Sequence, residues 1–248
     1  MFLPIFYYLV HDLGAIAFFG LAAIAGMLAA GEFYRLHLGQ APWPWWCWLG
    51  VGATGPLISS AQWPTLVTDR AVLLGTLAIA LCMPLLSGKS LRDSLTDGMV
   101  LVMGVLYLGL TLSYLVLTRG LPDGALLIFF VFLVTWAGDT GAYVAGKSMG
   151  RHSLAPVISP KKTYEGLAGG LVLACLMAVV ARAWFLPAFS LVDCLALGMI
   201  LTITGLIGDL AESAMKRSAG FNDSGALIPG HGGRLDRLAS LLLPGPHL

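Results

Sequence analysis

Between Asp209 and Arg237 the sequence sets four carboxylates, Asp209, Glu212, Asp223 and Asp236, among four cations, Lys216, Arg217, Arg234 and Arg237. Carboxylate oxygens suit a hard divalent cation. Magnesium is usually held by one or two of them plus water and substrate phosphate, while Lys and Arg neutralise the remaining phosphate charge. The same stretch holds Gly232 and Gly233 within "IPGHGGRLDR", where missing side chains let backbone N–H groups approach an anion. Two readings fit this mixture: a metal and phosphate site, or a basic amphipathic surface laid against anionic lipid headgroups. His231 also has two, a phosphate donor or acid–base group against a loop hydrogen-bonder. It has no second His at metal spacing, which argues against zinc.

An earlier stretch shifts the balance. "ISPKKTYEG" puts Ser159, Lys161, Lys162 and Thr163 immediately before an apolar run. The residue before Pro160 is biased to extended backbone. Thr163 is expected to cap the following helix, with Tyr164, Glu165 and Gly166 in a first turn whose dipole favours an anion. An ordinary cap with membrane-anchoring lysines would look similar. Two phosphate-friendly segments returning to one membrane face favour the metal and phosphate reading.

The elements that must position these residues are membrane helices. Of 248 residues, 58% are hydrophobic and 11% charged, against about 25% charged in a soluble domain. Crossing the hydrocarbon core takes about 20 mainly apolar residues. Seven runs qualify, at roughly 14 to 34, 44 to 62, 71 to 87, 97 to 118, 124 to 142, 165 to 185 and 191 to 209. The opening "MFLPIFYYLV" is short for an eighth and lacks the basic flank and cleavage site of a signal peptide. The expected fold is therefore all-α: a polytopic integral membrane protein of about seven to eight transmembrane helices, with its polar site on the cytoplasmic face.

The net charge of +1 implies no nucleic-acid partner, but its distribution is informative. With the spans placed, one set of loops holds Arg35, Lys89, Arg92, Lys147, Arg151, Lys161, Lys162, Lys216, Arg217, Arg234 and Arg237. The other holds Arg70, Arg119 and Arg182. This bias assigns the first set, and both polar segments, to the cytoplasm. Those segments are expected to run from about Ala142 to Thr163 and from Leu210 to Arg237, joined by a helix hairpin whose outer turn near Pro187 is short.

Residues 1 to 248 read as a single membrane domain, with a scaffold of N-terminal helices over 1 to 134 and a catalytic half over 135 to 240. Glu32, Asp139, Asp209 and Glu212 lie within or at the ends of spans, where an ionised group is expensive. Asp209 and Glu212, three apart, share a face if the helix continues. Cys47, Cys82, Cys175 and Cys194 sit singly in apolar stretches and read as packing residues. His11, His37, His152 and His247 read as surface or interfacial.

These motifs resemble the CDP-diacylglycerol synthase family, also called phosphatidate cytidylyltransferases. Its signature has the form Ser-x-x-Lys-Arg, a Lys-Asp pair, Pro-x-His-Gly-Gly, then Asp-Arg-x-Asp. Ser213, Lys216, Arg217, Asp223, Pro229, His231, Gly232, Gly233, Asp236 and Arg237 supply it in order. Upstream, "DTGAYVAGKSMGRH" from Asp139 and "SPKKTYEG" from Ser159 resemble two further family segments, and "GEFYRL" near Glu32 is a weaker echo. Asn222 and Ala239 depart from the pattern, standing where the family usually has Lys and Asp.

The resemblance implies condensation of CTP with phosphatidate, giving CDP-diacylglycerol and pyrophosphate, by an inner-membrane enzyme of phospholipid synthesis working with Mg2+ in the lipid bilayer. It implies Asp209 and Asp236 as metal ligands with Asp223 nearby, and catalytic roles for Asp209, Lys216, Asp223 and Asp236. Phosphate and substrate binding would fall to Ser159, Lys161, Lys162, Thr163, Ser213, Arg217, His231, Gly232, Gly233 and Arg237. A monovalent cation beside magnesium and a homodimer are compatible with it. One rival is a CTP-dependent kinase acting on a polyprenol-type lipid; another is a catalytically impaired paralog that binds lipid or nucleotide, motivated by Asn222 and Ala239. A transporter is the generic alternative, but transporter sites lie near the membrane midplane, whereas these polar residues gather at one face.

Overall fold

The computed structural model describes residues 14–38 and 42–218. Asn222, Asp223, Pro229, His231, Gly232, Gly233, Asp236, Arg237 and Ala239 lie outside the described residues, as does the stretch before Gly14. Contacts divide the chain into two compact units, one up to Leu121 and one from Pro122.

The first unit holds α1 (Gly14–Leu38), α2 (Trp45–Gln62), α3 (Asp69–Leu86) and α4 (Leu91–Arg119), which loosens into a π-helical segment over Val105–Leu110. A buried Tyr34 organises it. Its hydroxyl donates to Leu101 O at 3.1 Å, and its ring meets Trp46 edge to face at 5.8 Å. Gly50 and Gly104 make room for that ring: a Cβ at either would lie 2.2 or 2.5 Å from the tyrosine oxygen. Hydroxyls inside these helices are satisfied by their own backbone, as when Thr54 donates to Gly50 O at 2.9 Å, the arrangement an apolar surrounding demands. His37 is exposed, as expected, and lies 3.4 Å from the buried Asp97, whose other oxygen pairs with Lys89 Nζ at 2.6 Å.

The second unit holds α5 (Gly124–Met149), a hairpin of β1 (Ser153–Ala155) and β2 (Ser159–Thr163), α6 (Tyr164–Trp184) and α7 (Leu191–Ser218). Small residues bring α5 and α6 together. A Cβ at Gly169 would sit 2.3 Å from Ala145 Cβ, and one at Gly141 would sit 2.5 Å from Gly169 O. Apolar helices in lipid associate chiefly through such close packing. Beside the seam Phe130, Val134, Ala174, Ala178 and Leu201 form a buried apolar core. The α6–α7 turn is short, as expected. Ser190 and Asp193 close it reciprocally, Asp193 N donating to Ser190 Oγ at 3.1 Å and Ser190 N to Asp193 Oδ2 at 3.0 Å.

All seven expected spans are helical, and among the described residues six helices are long and apolar enough to cross a membrane. The chain is an all-α polytopic membrane protein. The exception is α2, whose 18 residues include glycine, serine, threonine, proline and glutamine, which dilute its hydropathy. The structure differs from expectation at two boundaries. Helix α5 runs on to Met149 and α7 to Ser218, so the start of each polar segment is helix. Nothing in "DTGAYVAGKSM" or "DLAESAMKRS" breaks a helix, and polarity alone does not end one. The hairpin is the other addition to an otherwise all-α fold, with Ala155 pairing Ser159 and Ser153 pairing Thr163.

Candidate functional site

The hairpin sits where Pro160 and Thr163 dictate. Ser159 is extended, as a residue before proline prefers. Thr163 is extended too and caps α6: its Oγ1 accepts from Gly166 N at 3.1 Å. Glu165, in the first turn of α6, fastens the start of the hairpin. Its carboxylate accepts from Arg151 N at 3.2 Å and His152 N at 3.3 Å, and meets His152 Nδ1 at 2.6 Å. His152 is exposed, as the sequence suggested, and it also partners Glu165.

So fixed, β2 hangs its lysines over a cavity of about 270 Å³ in the second unit. Asp139 and Tyr143 of α5, Lys161, Lys162 and Thr163 of β2, and Asp209 of α7 line its polar part. Thr135, Gly138, Leu201, Thr202 and Gly205 line the part nearer the helix middles. Lys162 Nζ lies 2.6 Å from Asp209 Oδ2, and both side chains are about one quarter exposed. At that exposure solvent screens the pair moderately, so its main effect is to join strand to helix.

Of the expected site residues, the cavity gathers Lys161, Lys162, Thr163 and Asp209. Ser159, Ser213, Lys216 and Arg217 do not line it. Lys216 instead lies 2.6 Å from Glu212 Oε1, one turn back on α7 and 4% exposed. Asp209 and Glu212 do share the helix, as their spacing suggested. Arg217 Nε reaches the hairpin, donating to Ile158 O at 3.4 Å. Asp223, His231, Gly232, Gly233, Asp236 and Arg237 lie outside the described residues.

Asp139, Tyr143 and Thr135 belong to the cavity wall although none of them was among the expected site residues. The signal was present as spacing. Positions 135, 139 and 143 recur every four residues, as do 202, 206 and 209 within one, so each set marks a single helix face.

The arrangement brings two cations and two carboxylates to the mouth of a pocket whose inner wall is apolar with isolated hydroxyls. Such a mouth can hold a phosphate and a divalent cation together. Among the described residues no three His, Cys, Asp or Glu side chains gather as a self-sufficient metal cage. Magnesium does not require one, since it keeps waters and substrate oxygens.

Comparison with known proteins follows the same direction. A family model described as "Cytidylyltransferase family" matches residues 1–248. Proteins named phosphatidate cytidylyltransferase from Staphylococcus saprophyticus and Staphylococcus haemolyticus are each 43% identical over 157 residues, 63% of this chain and 60% of theirs. One of the same name from Staphylococcus aureus is 43% identical over 159 residues, with the same shares covered. The chain thus matches 60% of the length of these relatives.

Proposed function

The chain belongs to the cytidylyltransferase family, and we propose that it transfers a cytidylyl group from CTP to phosphatidate, giving CDP-diacylglycerol and pyrophosphate. The observation that carries this reading is the Lys162–Asp209 pair at the mouth of a cavity walled by membrane helices. The relatives' names support the same substrates. A phosphate oxygen of phosphatidate attacks the α-phosphorus of CTP in line, the bond to the β-phosphate oxygen breaks, and pyrophosphate leaves. The nucleophile is already an anion, so the protein's task is positioning and charge neutralisation.

Lys161 and Lys162 are the natural phosphate partners on the described wall, and Thr163 fixes the strand that presents them. Ser159, Ser213, Lys216, Arg217 and Arg237, with the "HGG" of His231, Gly232 and Gly233, extend the phosphate-binding surface in this reading. Asp209 would hold Mg2+ together with Asp236, with Asp223 close by. The donors fit, because Asp209 and Asp139 both offer carboxylate oxygens to the cavity. Bound there, magnesium would neutralise developing charge on the phosphates. Lys162 offsets the charge of Asp209 in the ligand-free chain.

The excess of Lys and Arg in one set of loops supports an inner-membrane protein whose site faces the cytoplasm. There the diacyl tails stay in the bilayer while the headgroup meets CTP at its boundary. A homodimer is compatible with this arrangement.

Label position tests the reading. Purified protein in detergent, given phosphatidate and Mg2+, is expected to incorporate label into lipid from α-labelled CTP and none from γ-labelled CTP. Transfer of the γ label to a polyprenol-type alcohol would identify a lipid kinase instead. Absence of turnover with retained substrate binding would identify an impaired paralog.

A further inference from the structure

Thr135 carries a hydroxyl that the mechanism above does not use. It is 3% exposed and lines the inner part of the cavity, and its Oγ1 has no hydrogen-bond partner among the described residues. Each of the eight other threonines within the described helices donates to the carbonyl four residues before it. That bond is open to any helical threonine, yet Thr135 does not make it. Thr202, on the same cavity wall, donates to Gly198 O at 2.8 Å and has no proton left for a ligand. Thr135 is therefore the hydroxyl at the inner end with a proton to give. A buried polar group without a partner is unfavourable, and a bound molecule would relieve it.

Position narrows the chemistry. Thr135 lies one helical turn, about 6 Å, from Asp139 along α5, near the middle of a helix long enough to span the bilayer. Leucines 167, 201 and 206 share that wall. A triphosphate or a nucleobase at such depth would be poorly solvated. A mainly apolar group with an isolated oxygen acceptor suits it. In a phosphatidate the ester carbonyls lie a few bonds from the phosphate, a span comparable with one helical turn.

We propose that Thr135 donates a hydrogen bond to an ester carbonyl of the diacyl lipid and so determines the preference for ester-linked over ether-linked phosphatidate. This rests on reading the cavity as the phosphatidate site. It adds a contact to the uncharged part of the lipid, which the ionic mouth cannot recognise.

The test compares dioleoyl phosphatidate with its dialkyl ether analogue, which lacks carbonyls, in mixed micelles with the purified full chain, CTP and Mg2+. The wild type is expected to show a KM for the ether lipid roughly threefold to tenfold higher, the range one neutral hydrogen bond gives. T135V should raise the KM for the diacyl lipid by the same factor, leave the ether lipid and the KM for CTP unchanged, and lose no thermal stability. T135S should restore the ester preference. A rise in the KM for CTP alone, or a wild type indifferent to the two lipids, overturns the assignment. Equilibrium binding of both lipids without CTP makes the comparison independent of turnover. Ester-selective binding that T135V abolishes, in a protein that makes no CDP-diacylglycerol, would sink cytidylyl transfer and uphold Thr135. Turnover without ester preference would do the reverse.

Discussion

Lys162 of the hairpin and Asp209 of α7, 47 residues apart in the chain, meet at 2.6 Å between Nζ and Oδ2. The contact holds the lysine-bearing strand over the cavity and neutralises a carboxylate that the proposed reaction reserves for magnesium. In that reading lysine and metal would compete for one group, and nucleotide phosphate would draw the lysine away. Replacing Lys162 by Met is therefore expected to have opposite effects on two ligands. Binding of Mn2+ without nucleotide, followed by electron paramagnetic resonance, should tighten several-fold. CTP turnover should fall roughly 10 to 100-fold, because the phosphate loses a charge-assisted hydrogen bond. Unchanged Mn2+ affinity would show that Asp209 is not a metal ligand.

The two cavity carboxylates should separate by role. Asp209→Asn removes the described ligand of the proposed metal and is expected to abolish divalent-dependent CTP incorporation, as is Asp236→Asn. Asp139→Asn, on the opposite wall, should retain turnover but require more Mg2+ for half-maximal rate. Magnesium titrations of the purified variants decide this; near-normal turnover in Asp209→Asn would remove the aspartate from the mechanism.

Much of this fold was legible in the sequence because membrane helices announce themselves twice, by apolar length and by the rarity of charge within them. The seven spans, the short turn at Pro187 and the cap at Thr163 follow from local rules that lipid reinforces. Less visible were features that depend on what packs opposite. Asp209 and Glu212 look equivalent as carboxylates on one helix, yet one reaches across to the hairpin and the other, buried, pairs along the helix with Lys216. His152 has a role only because Glu165 lies beside it in space. Thr135 is silent in a composition-based reading, since a threonine in an apolar run usually bonds its own backbone.

Glu212 and Lys216 are expected to act on stability first. The glutamate is 4% exposed and its partner lysine is one turn away at 2.6 Å. Removing one member of a buried pair leaves an uncompensated charge, worth roughly 3 kcal/mol. Glu212→Gln should lower the thermal midpoint in detergent, whereas the double variant Glu212→Leu with Lys216→Met should recover most of it. If Lys216 also contacts phosphate, the double variant will be stable but slow. Parallel melting and rate measurements therefore read packing and catalysis separately.

The α5–α6 seam offers a test in which two substitutions should cancel. A Cβ at Gly169 would lie 2.3 Å from Ala145 Cβ, closer than any real contact, so Gly169→Ala must push the helices apart. Those helices carry Asp139 and the cap that holds Lys161 and Lys162, so separation deforms the cavity mouth as well as the seam. Overpacking of this kind costs about 1 to 3 kcal/mol. Gly169→Ala is expected to lower both the thermal midpoint and the CTP turnover. Adding Ala145→Gly returns the missing space and should restore both, although it puts another glycine in α5. A double variant no better than Gly169→Ala alone would mean that the backbone oxygen of Gly141, 2.9 Å from the same Cβ position, sets the limit instead.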